Sequence, residues 1–302
     1  MADGWNQVLP RSLFNKCKFI GKGATGWVFE VAPGITLKYL CTGRDDEFRR
    51  ENEMYELIER SSPPPYFVQS FLRLPYAHFM QSFPDCLDLR LRSNRRQDPK
   101  TLECFEVLRL EPTAKIEQWA AELSSALAWL ESLGLVQGDM RPSNILLDRD
   151  NNDHLKLVDF DSCAKIGDRD PGLPPPWSHS KHRFYGAVTE QFSFGSILYN
   201  MTRGLELYED LGPEVHELFD NMEFPELSDS RLDALTRRCW WGEFATLADL
   251  AKECATLQGA SLAATANTAN DEYKSRMKRT CEELLRTKLA DLGDESPRDV
   301  SA

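Results

Sequence analysis

Gln137-Gly138-Asp139-Met140-Arg141-Pro142-Ser143-Asn144 is followed at once by the apolar run Ile145-Leu146-Leu147. Asp139 and Asn144 stand five positions apart, and the run behind them reads as a buried strand that fixes both. Fifteen residues beyond Asn144 comes Asp159, in Leu155-Lys156-Leu157-Val158-Asp159-Phe160-Asp161, a second apolar strand that ends in a carboxylate. Strand, turn and strand would bring a carboxylate, an amide and a second carboxylate to one edge. Upstream, Ile116, Trp119, Ala120, Leu123, Ala126, Leu127 and Leu130 recur at helical spacing over residues 116–133 and stop at Gly134. That stripe is core, with no cofactor role.

Phosphoryl transfer to a hydroxyl needs a carboxylate near the acceptor and oxygen ligands for the Mg²⁺ that bridges the phosphates. Asp139 suits the first task, and Asn144 with Asp159 the second. The stretch resembles the catalytic loop and metal-binding loop of the protein-kinase superfamily. By that resemblance Arg141 stands where the family has a lysine, and still offers a cation to the γ-phosphate with different geometry.

The amino-terminal third extends the resemblance. Gly21-Lys22-Gly23-Ala24-Thr25-Gly26-Trp27-Val28 is a G-x-G-x-x-G pattern, weak alone because dinucleotide-binding folds share it. Here it follows an apolar stretch at 14–20, read as a strand. A second strand rather than a helix comes after it, then a Pro33-Gly34 turn and a third strand at 35–40. In a kinase such a loop folds its backbone N–H groups over the nucleotide phosphates. Lys38 lies on the third strand, where a lone lysine is ordinarily a solvated edge charge. Residues 45–60 read as a helix capped by Asp45 and stopped before Pro63-Pro64-Pro65, with Glu51, Met54, Tyr55 and Ile58 on one inward face. A glutamate there needs a partner, since burying an unpaired charge is costly. Lys38 is the obvious one, and Glu53 is the competing register. Strands at 67–72 and 76–81 follow; by resemblance Met80 is the gatekeeper and Gln81-Ser82-Phe83 a hinge whose backbone binds adenine. Pro84 marks the lobe boundary. Residues 85–94 suggest a short helix, and 95–101 a polar loop in which Arg95-Arg96 is solvated surface.

The departures from the family matter as much. Gln137-Gly138 replaces His-Arg, removing the arginine that receives an activation-loop phosphate and the histidine that packs under the metal-loop phenylalanine. Asp161 replaces the glycine after Phe160, which predicts a stiffer metal loop because aspartate reaches positive φ only at a cost. Glu190, in Thr189-Glu190-Gln191-Phe192-Ser193-Phe194-Gly195 at the start of a large helix, replaces the aspartate that anchors the catalytic loop from beneath. No Ala-Pro-Glu equivalent follows, and Phe244 stands where its arginine partner is expected.

Helices are expected at 232–241 and 244–257, then a flexible linker at 258–269 rich in Ala, Thr, Ser and Asn. Residues 271–292 form an amphipathic helix that docks back or meets a partner, docking being favoured. The formal net charge of −12 argues against a general nucleic-acid or anionic-membrane binder. The eight cysteines form no C-x-x-C pair, and no secretory signal is readable. They read as free thiols of an intracellular protein, cytoplasmic or nuclear.

The expectation is an α+β, bilobal protein-kinase-like fold: a small, mainly β N-lobe with one helix (1–83), a larger, mainly α C-lobe (84–257), and a linker with a terminal helix (258–302). The Thr189–Gly195 stretch and Met222-Glu223-Phe224-Pro225-Glu226-Leu227-Ser228-Asp229 are similar to a kinase-like group of filamentous fungi. The implied function is ATP- and Mg²⁺-dependent phosphorylation of Ser/Thr hydroxyls on a protein substrate. Asp139 and Arg141 would act at the reaction centre, Lys38 and Glu51 on the phosphates, and Asn144 and Asp159 on the metal. Gly21, Lys22, Gly23, Gly26, Val28, Met80, Gln81 and Phe83 would surround the nucleotide. Two alternatives stay open. Small-molecule phosphotransferases of this fold often read H-G-D and D-F-D, close to Gly138-Asp139 and Asp159-Phe160-Asp161. A pseudokinase would keep the fold and act through partners.

Overall fold

The computed structural model describes residues 10–101, 104–179, 181–211, 215–266 and 270–293. They fall into two units, one within 1–62, 68–83 and 268–302, the other within 63–67 and 84–267.

The first unit opens with a short helix α1 (Arg11–Lys16) and strands β1 (Lys18–Lys22), β2 (Gly26–Ala32) and β3 (Ile35–Leu40). Phe14 therefore lies in a helix rather than the expected strand. Leu13, beside it, is wholly buried in the core that this unit builds. Helix α2 (Asp45–Arg60) follows, then β4 (Ser70–Leu74) and β5 (Ala77–Gln81). The strands form one antiparallel sheet in the order β1-β2-β3-β5-β4. Arg44, not Asp45, is the N-cap of α2, and Asp45, Asp46 and Glu47 fill its first turn, where they complement the helix dipole. Phe48, Glu51, Tyr55 and Ile58 are its buried face, while Glu53 is exposed and pairs with Arg49.

The chain reaches the second unit first through residues 63–67. There Leu157 donates its N–H to the Tyr66 carbonyl at 2.7 Å and Lys156 Nζ donates to that of Pro65 at 2.6 Å. These bonds hold Phe67 against Leu157, so the expected strand at 67–72 begins only at Ser70. From Pro84 on, the unit contains β6 (Asp85–Cys86), α3 (Leu87–Arg92), β7 (Arg95–Gln97), β8 (Cys104–Val107) and α4 (Thr113–Ser132). Then come β9 (Leu135–Val136), β10 (Ile145–Asp148), β11 (His154–Leu157), β12 (Ala164–Lys165), α5 (Ala187–Arg203), α6 (Val215–Asp220), α7 (Arg231–Trp240) and α8 (Leu247–Cys254). Of the expected 95–101 loop only residues 98–101 form a turn, mostly exposed, while 95–97 form β7. Arg95 is buried with its Nη1 2.8 Å from both carboxylate oxygens of Glu209, and the strand it begins pairs with β8. Arg96 stays exposed, bonded to Glu106.

Helix α4 is the axis of this unit. Its buried face runs from Ile116 to Leu130 and includes Trp119, Leu123 and Leu127. Its polar residues are buried too, because they hold β11: Glu122 takes the Leu155 N–H at 2.8 Å and lies 2.5 Å from His154 Nδ1. The far nitrogen of His154 is 2.9 Å from Thr265 Oγ1. Residues 258–265 are consequently no flexible linker. They wind as a 3-10 helix (Gln258–Thr265) on α4, with Gly259 donating to Glu117 at 2.7 Å. Residues 267–269 of the expected linker lie outside the described residues.

Helix α9 (Asp271–Arg286) returns the chain to the first unit, capped by Asn270, whose side chain accepts the Tyr273 N–H. The α-helix ends earlier than expected, and residues 290–293 finish as a 3-10 turn. Cys281, Leu289 and Leu292 are buried in one core with Leu13, Phe29, Val31, Leu37 and Phe79. Lys288 Nζ donates to the Val31 carbonyl at 2.9 Å, and Lys16 meets Asp291 at 2.7 Å. The apolar face that the sequence offered to a partner is thus covered by the chain's own sheet. No helix among the described residues is long and apolar enough to cross a membrane.

Candidate active site

The first unit brings Lys38 and Glu51 together. Strand β3 is buried along its whole length and α2 turns Glu51 inward, so Lys38 Nζ meets Glu51 Oε2 at 2.7 Å. Both side chains are nearly inaccessible, at 6% and 2%. Such a pair is stable only because each charge answers the other. Gly26 makes room for it: a Cβ there would stand 2.7 Å from Lys38 Cγ and 3.0 Å from the Tyr39 carbonyl. Gly21 and Lys22 end β1, Gly23 closes the hairpin with its N–H on the Gly26 carbonyl at 2.9 Å, and Val28 pairs with Lys38 across β2 and β3. Lys22 Nζ sits 5.0 Å from the Trp27 ring centre. Met80 is buried opposite Thr36. Gln81 and Ser82 donate their N–H groups to Gln69 and Gly34, whereas the main chain of Phe83 makes no hydrogen bond among the described residues.

The second unit brings Asp139, Arg141, Asn144 and Asp159 together. Asp139 is 4% exposed. Its Oδ2 accepts from Asn144 Nδ2 at 3.0 Å, from Arg141 Nε at 3.1 Å and from Arg141 Nη2. Its Oδ1 is buried with no hydrogen-bond partner. Burial pushes the Asp139 carboxyl above its ordinary range, and the charge of Asp159 adds to this, while Arg141 and Asn144 pull it back. Asn144 closes a 3-10 turn (Pro142–Asn144), which suits Pro142 at its first position, and also donates to the Asp139 carbonyl at 2.9 Å. With both amide bonds made by Nδ2, its Oδ1 is the atom left for a cation. The β10–β11 hairpin does the rest: Ile145 pairs with Leu157, and Val158 donates to the Asn144 carbonyl at 3.2 Å, setting Asp159 beside Asn144.

The Arg141 guanidinium closes on Asp139. Positive φ falls on Asp159, at 63°, and not on Asp161. Gly138 is more than a lost arginine. Its φ is 78°, and a Cβ would stand 2.2 Å from the Ser162 carbonyl oxygen, so no side chain fits.

Two residues do work that the sequence did not disclose. Gln137, wholly buried, donates from Nε2 to the Asp159 carbonyl at 2.9 Å and accepts the Asp139 N–H on Oε1 at 2.7 Å. Gln191 holds the Phe244 backbone at both ends, N–H and carbonyl each at 3.1 Å, joining α5 to the segment after α7 by a neutral amide. A buried glutamine inside a motif is the only sequence signal either offers. Glu190 takes the Gln137 N–H at 3.0 Å and the Gly138 N–H at 3.3 Å, anchoring the loop from α5. Burial raises its carboxyl to about 7, against the pull of those two bonds.

A protein kinase domain model matches residues 102–285, a span that holds Asp139, Asn144 and Asp159 and leaves out Lys38 and Glu51. The chain is similar to serine/threonine-protein kinase Sgk1 of Danio rerio, 32% identical over 240 residues, covering 72% of this chain and 51% of that protein. Sgk1 of Xenopus tropicalis is 32% identical over 232 residues, 69% of this chain and 51% of its own. Sgk1 of Homo sapiens is 33% identical over 129 residues, 39% and 27%. The chain spans about half the length of the first two of these relatives.

Proposed function

This chain belongs to the protein kinase family, and from that premise we propose that it transfers the γ-phosphoryl group of ATP to Ser or Thr hydroxyls of a protein, with Mg²⁺. The observation that carries the reading is the unpartnered Asp139 Oδ1, a buried oxygen of a carboxylate that is held by the Asn144 amide and feels the charge of Asp159. A buried acceptor without a partner is costly unless a ligand supplies the donor. A substrate hydroxyl is such a donor. As its oxygen bonds to the γ-phosphorus and the bond to the ADP oxygen breaks, its proton passes to Asp139.

The donor set fits the metal. Mg²⁺ takes one or two carboxylates together with substrate phosphates, and Asn144 Oδ1 with Asp159 is that kind of set. No cluster of three or more His, Cys, Asp or Glu ligands exists among the described residues, so a self-contained metal cage is not the alternative. Bound there, Mg²⁺ would draw charge from the transferring phosphoryl group. Lys38, held by Glu51, would bind the α- and β-phosphates. The β1–β2 hairpin from Gly21 to Val28 would cover the phosphates, and Met80, Gln81 and Phe83 would meet the adenine.

Purified protein incubated with labelled ATP, Mg²⁺ and a mixed panel of protein and small-molecule acceptors tests this. Label on protein Ser or Thr is the expected result. Label on small molecules alone would make it a small-molecule phosphotransferase, and nucleotide binding without transfer would make it a pseudokinase.

A further inference from the structure

The arginines of the second unit are answered almost everywhere. Arg90, Arg92, Arg95, Arg141, Arg149 and Arg203 each hold a carboxylate. Arg96 and Arg238 do the same at the surface, and Arg109, Arg231 and Arg237 bond an amide, a hydroxyl and a carbonyl. Arg169 and Arg183 are the exception. Both are exposed, and among the described residues neither guanidinium has a hydrogen bond or an ion pair. The chain carries 48 acidic residues against 36 Lys and Arg, so a shortage of acid does not explain them.

These two arginines line one groove of about 460 Å³ with Leu173, Pro174, His182 and Phe219. Asp170 lines it too, but is tied to its own segment by the Gly172 N–H at 2.7 Å and by the Tyr185 hydroxyl. Asp220 lines it from α6. His179 is wall rather than ligand: Nε2 donates to the Phe219 carbonyl at 2.6 Å and Nδ1 accepts the Lys181 N–H at 3.0 Å, which uses both ring nitrogens. The backbone hydrogen bonds from Gly167 to Tyr185, Tyr185 to Asp168 and Asp170 to Arg183, each 2.9 Å, hold the arginine-bearing segment in place. Its inner end reaches the catalytic loop, because Tyr185 Cζ would stand 3.5 Å from a Cβ on Gly138, the residue before Asp139. Arg183 lies two residues of extended chain beyond Tyr185, roughly 7 Å, so an anion held there is on the order of two to four peptide residues from a hydroxyl at Asp139.

We propose that this groove is a specificity subsite, in which Arg169 and Arg183 grip an anionic side chain of the protein substrate near its acceptor hydroxyl. The proposal rests on the kinase reading of Asp139. The anion is a carboxylate of Asp or Glu, or the phosphate of a phosphoserine, and either accepts the forked N–H pair of a guanidinium. The apolar walls of Leu173, Pro174 and Phe219 strengthen the attraction, and a segment already ordered loses little freedom on binding.

The test uses fluorescein-labelled, serine-centred peptides that carry Glu, phosphoserine, Ala or Lys at each flanking position in turn. Affinity is read with a non-hydrolysable ATP analogue present, and transfer is read with labelled ATP. The parent is expected to prefer Glu or phosphoserine over Ala at one defined position by ~10- to 100-fold, the worth of hydrogen bonds to charged groups. The tighter of the two names the source of the anion, and either supports the subsite. In the double variant Arg169→Gln, Arg183→Gln that ratio is expected to fall near unity, and Arg183→Glu is expected to turn the preference toward Lys. A merely structural role would not reverse it. If one variant does not fold, the other decides. A parent that binds Glu, Ala and Lys peptides alike overturns the proposal. So does a preference that is equal at every position, or one that survives in the folded variants. Binding is read without turnover. A parent that binds the acidic peptide at a defined position but transfers nothing sinks the kinase activity and leaves the subsite standing. A parent that phosphorylates serine without regard to a flanking acid sinks the subsite alone.

Discussion

Glu190 shows how a single buried carboxylate sets the pH behaviour of this site. It lies at 2% exposure and holds two N–H groups of the catalytic loop, yet burial lifts its carboxyl from 4.5 to about 7. A group whose pKa is raised on folding binds its proton more tightly in the folded state. Its contribution to stability is complete below about pH 4.5 and is lost as pH rises to about 7, at most ~3 kcal/mol for a shift of this size. Denaturant titrations between pH 4.5 and 8 are expected to show the parent losing stability across that window and Glu190→Gln showing a flatter profile. Equal slopes would contradict the assignment. At this scale the sequence was readable where chemistry demands a residue type. Charge and spacing marked Lys38 with Glu51, and Asp139 with Asn144 and Asp159, and the fold brings each of these sets together. Gln137 and Gln191 carried no such mark, since an amide declares its role only through its partners. Arg141 pairs with Asp139 two residues away, a contact its place in the motif did not announce.

Among the elements, the long helices were legible because a repeating apolar face needs no tertiary information: α2, α4 and α9 all follow the spacing read from the chain. The β7–β8 hairpin was not, because Arg95 is buried by an ion pair with a residue more than a hundred positions away. Docking of the segment that follows α9 can be tested through Leu289, 1% exposed in the core of the first unit. Leu289→Ala is expected to cost ~2–5 kcal/mol in unfolding free energy, and a loss below about 0.5 would mean that the segment does not pack there. The segment after the metal loop carries its own order. Gly167 and Tyr185, Tyr185 and Asp168, and Asp170 and Arg183 are joined by backbone hydrogen bonds of 2.9 Å. Tyr185 and Thr189 are buried, and Ser162 and Ser178 are partly so; Ser180 lies outside the described residues. With no room for an arginine at Gly138, phosphorylation of this segment is expected to leave the transfer rate unchanged. Comparison of phosphatase-treated protein, untreated protein and a variant lacking the hydroxyls of Ser162, Ser178, Ser180, Tyr185 and Thr189 tests this. A tenfold loss on dephosphorylation, about 1.4 kcal/mol in the barrier, would contradict it if the phosphate maps to the segment.

For the whole molecule, the two units were foreseeable in kind but not in membership. Composition marked 258–269 as a linker, yet small residues also allow close packing, and Gly259 and Ala263 are buried on α4. An amphipathic helix likewise states that it has a partner face and not what covers it, so α9 completed the first unit rather than standing apart. The central claim is that a protein of the kinase family performs transfer through Asp139. Parent and Asp139→Asn should be compared for single-turnover transfer from labelled ATP to a protein acceptor, with Mg·ATP affinity measured on the same samples. The account predicts a fall in rate of ~10²- to 10⁴-fold with nucleotide affinity nearly unchanged. An Asp139→Asn protein that binds nucleotide and turns over like the parent would contradict it.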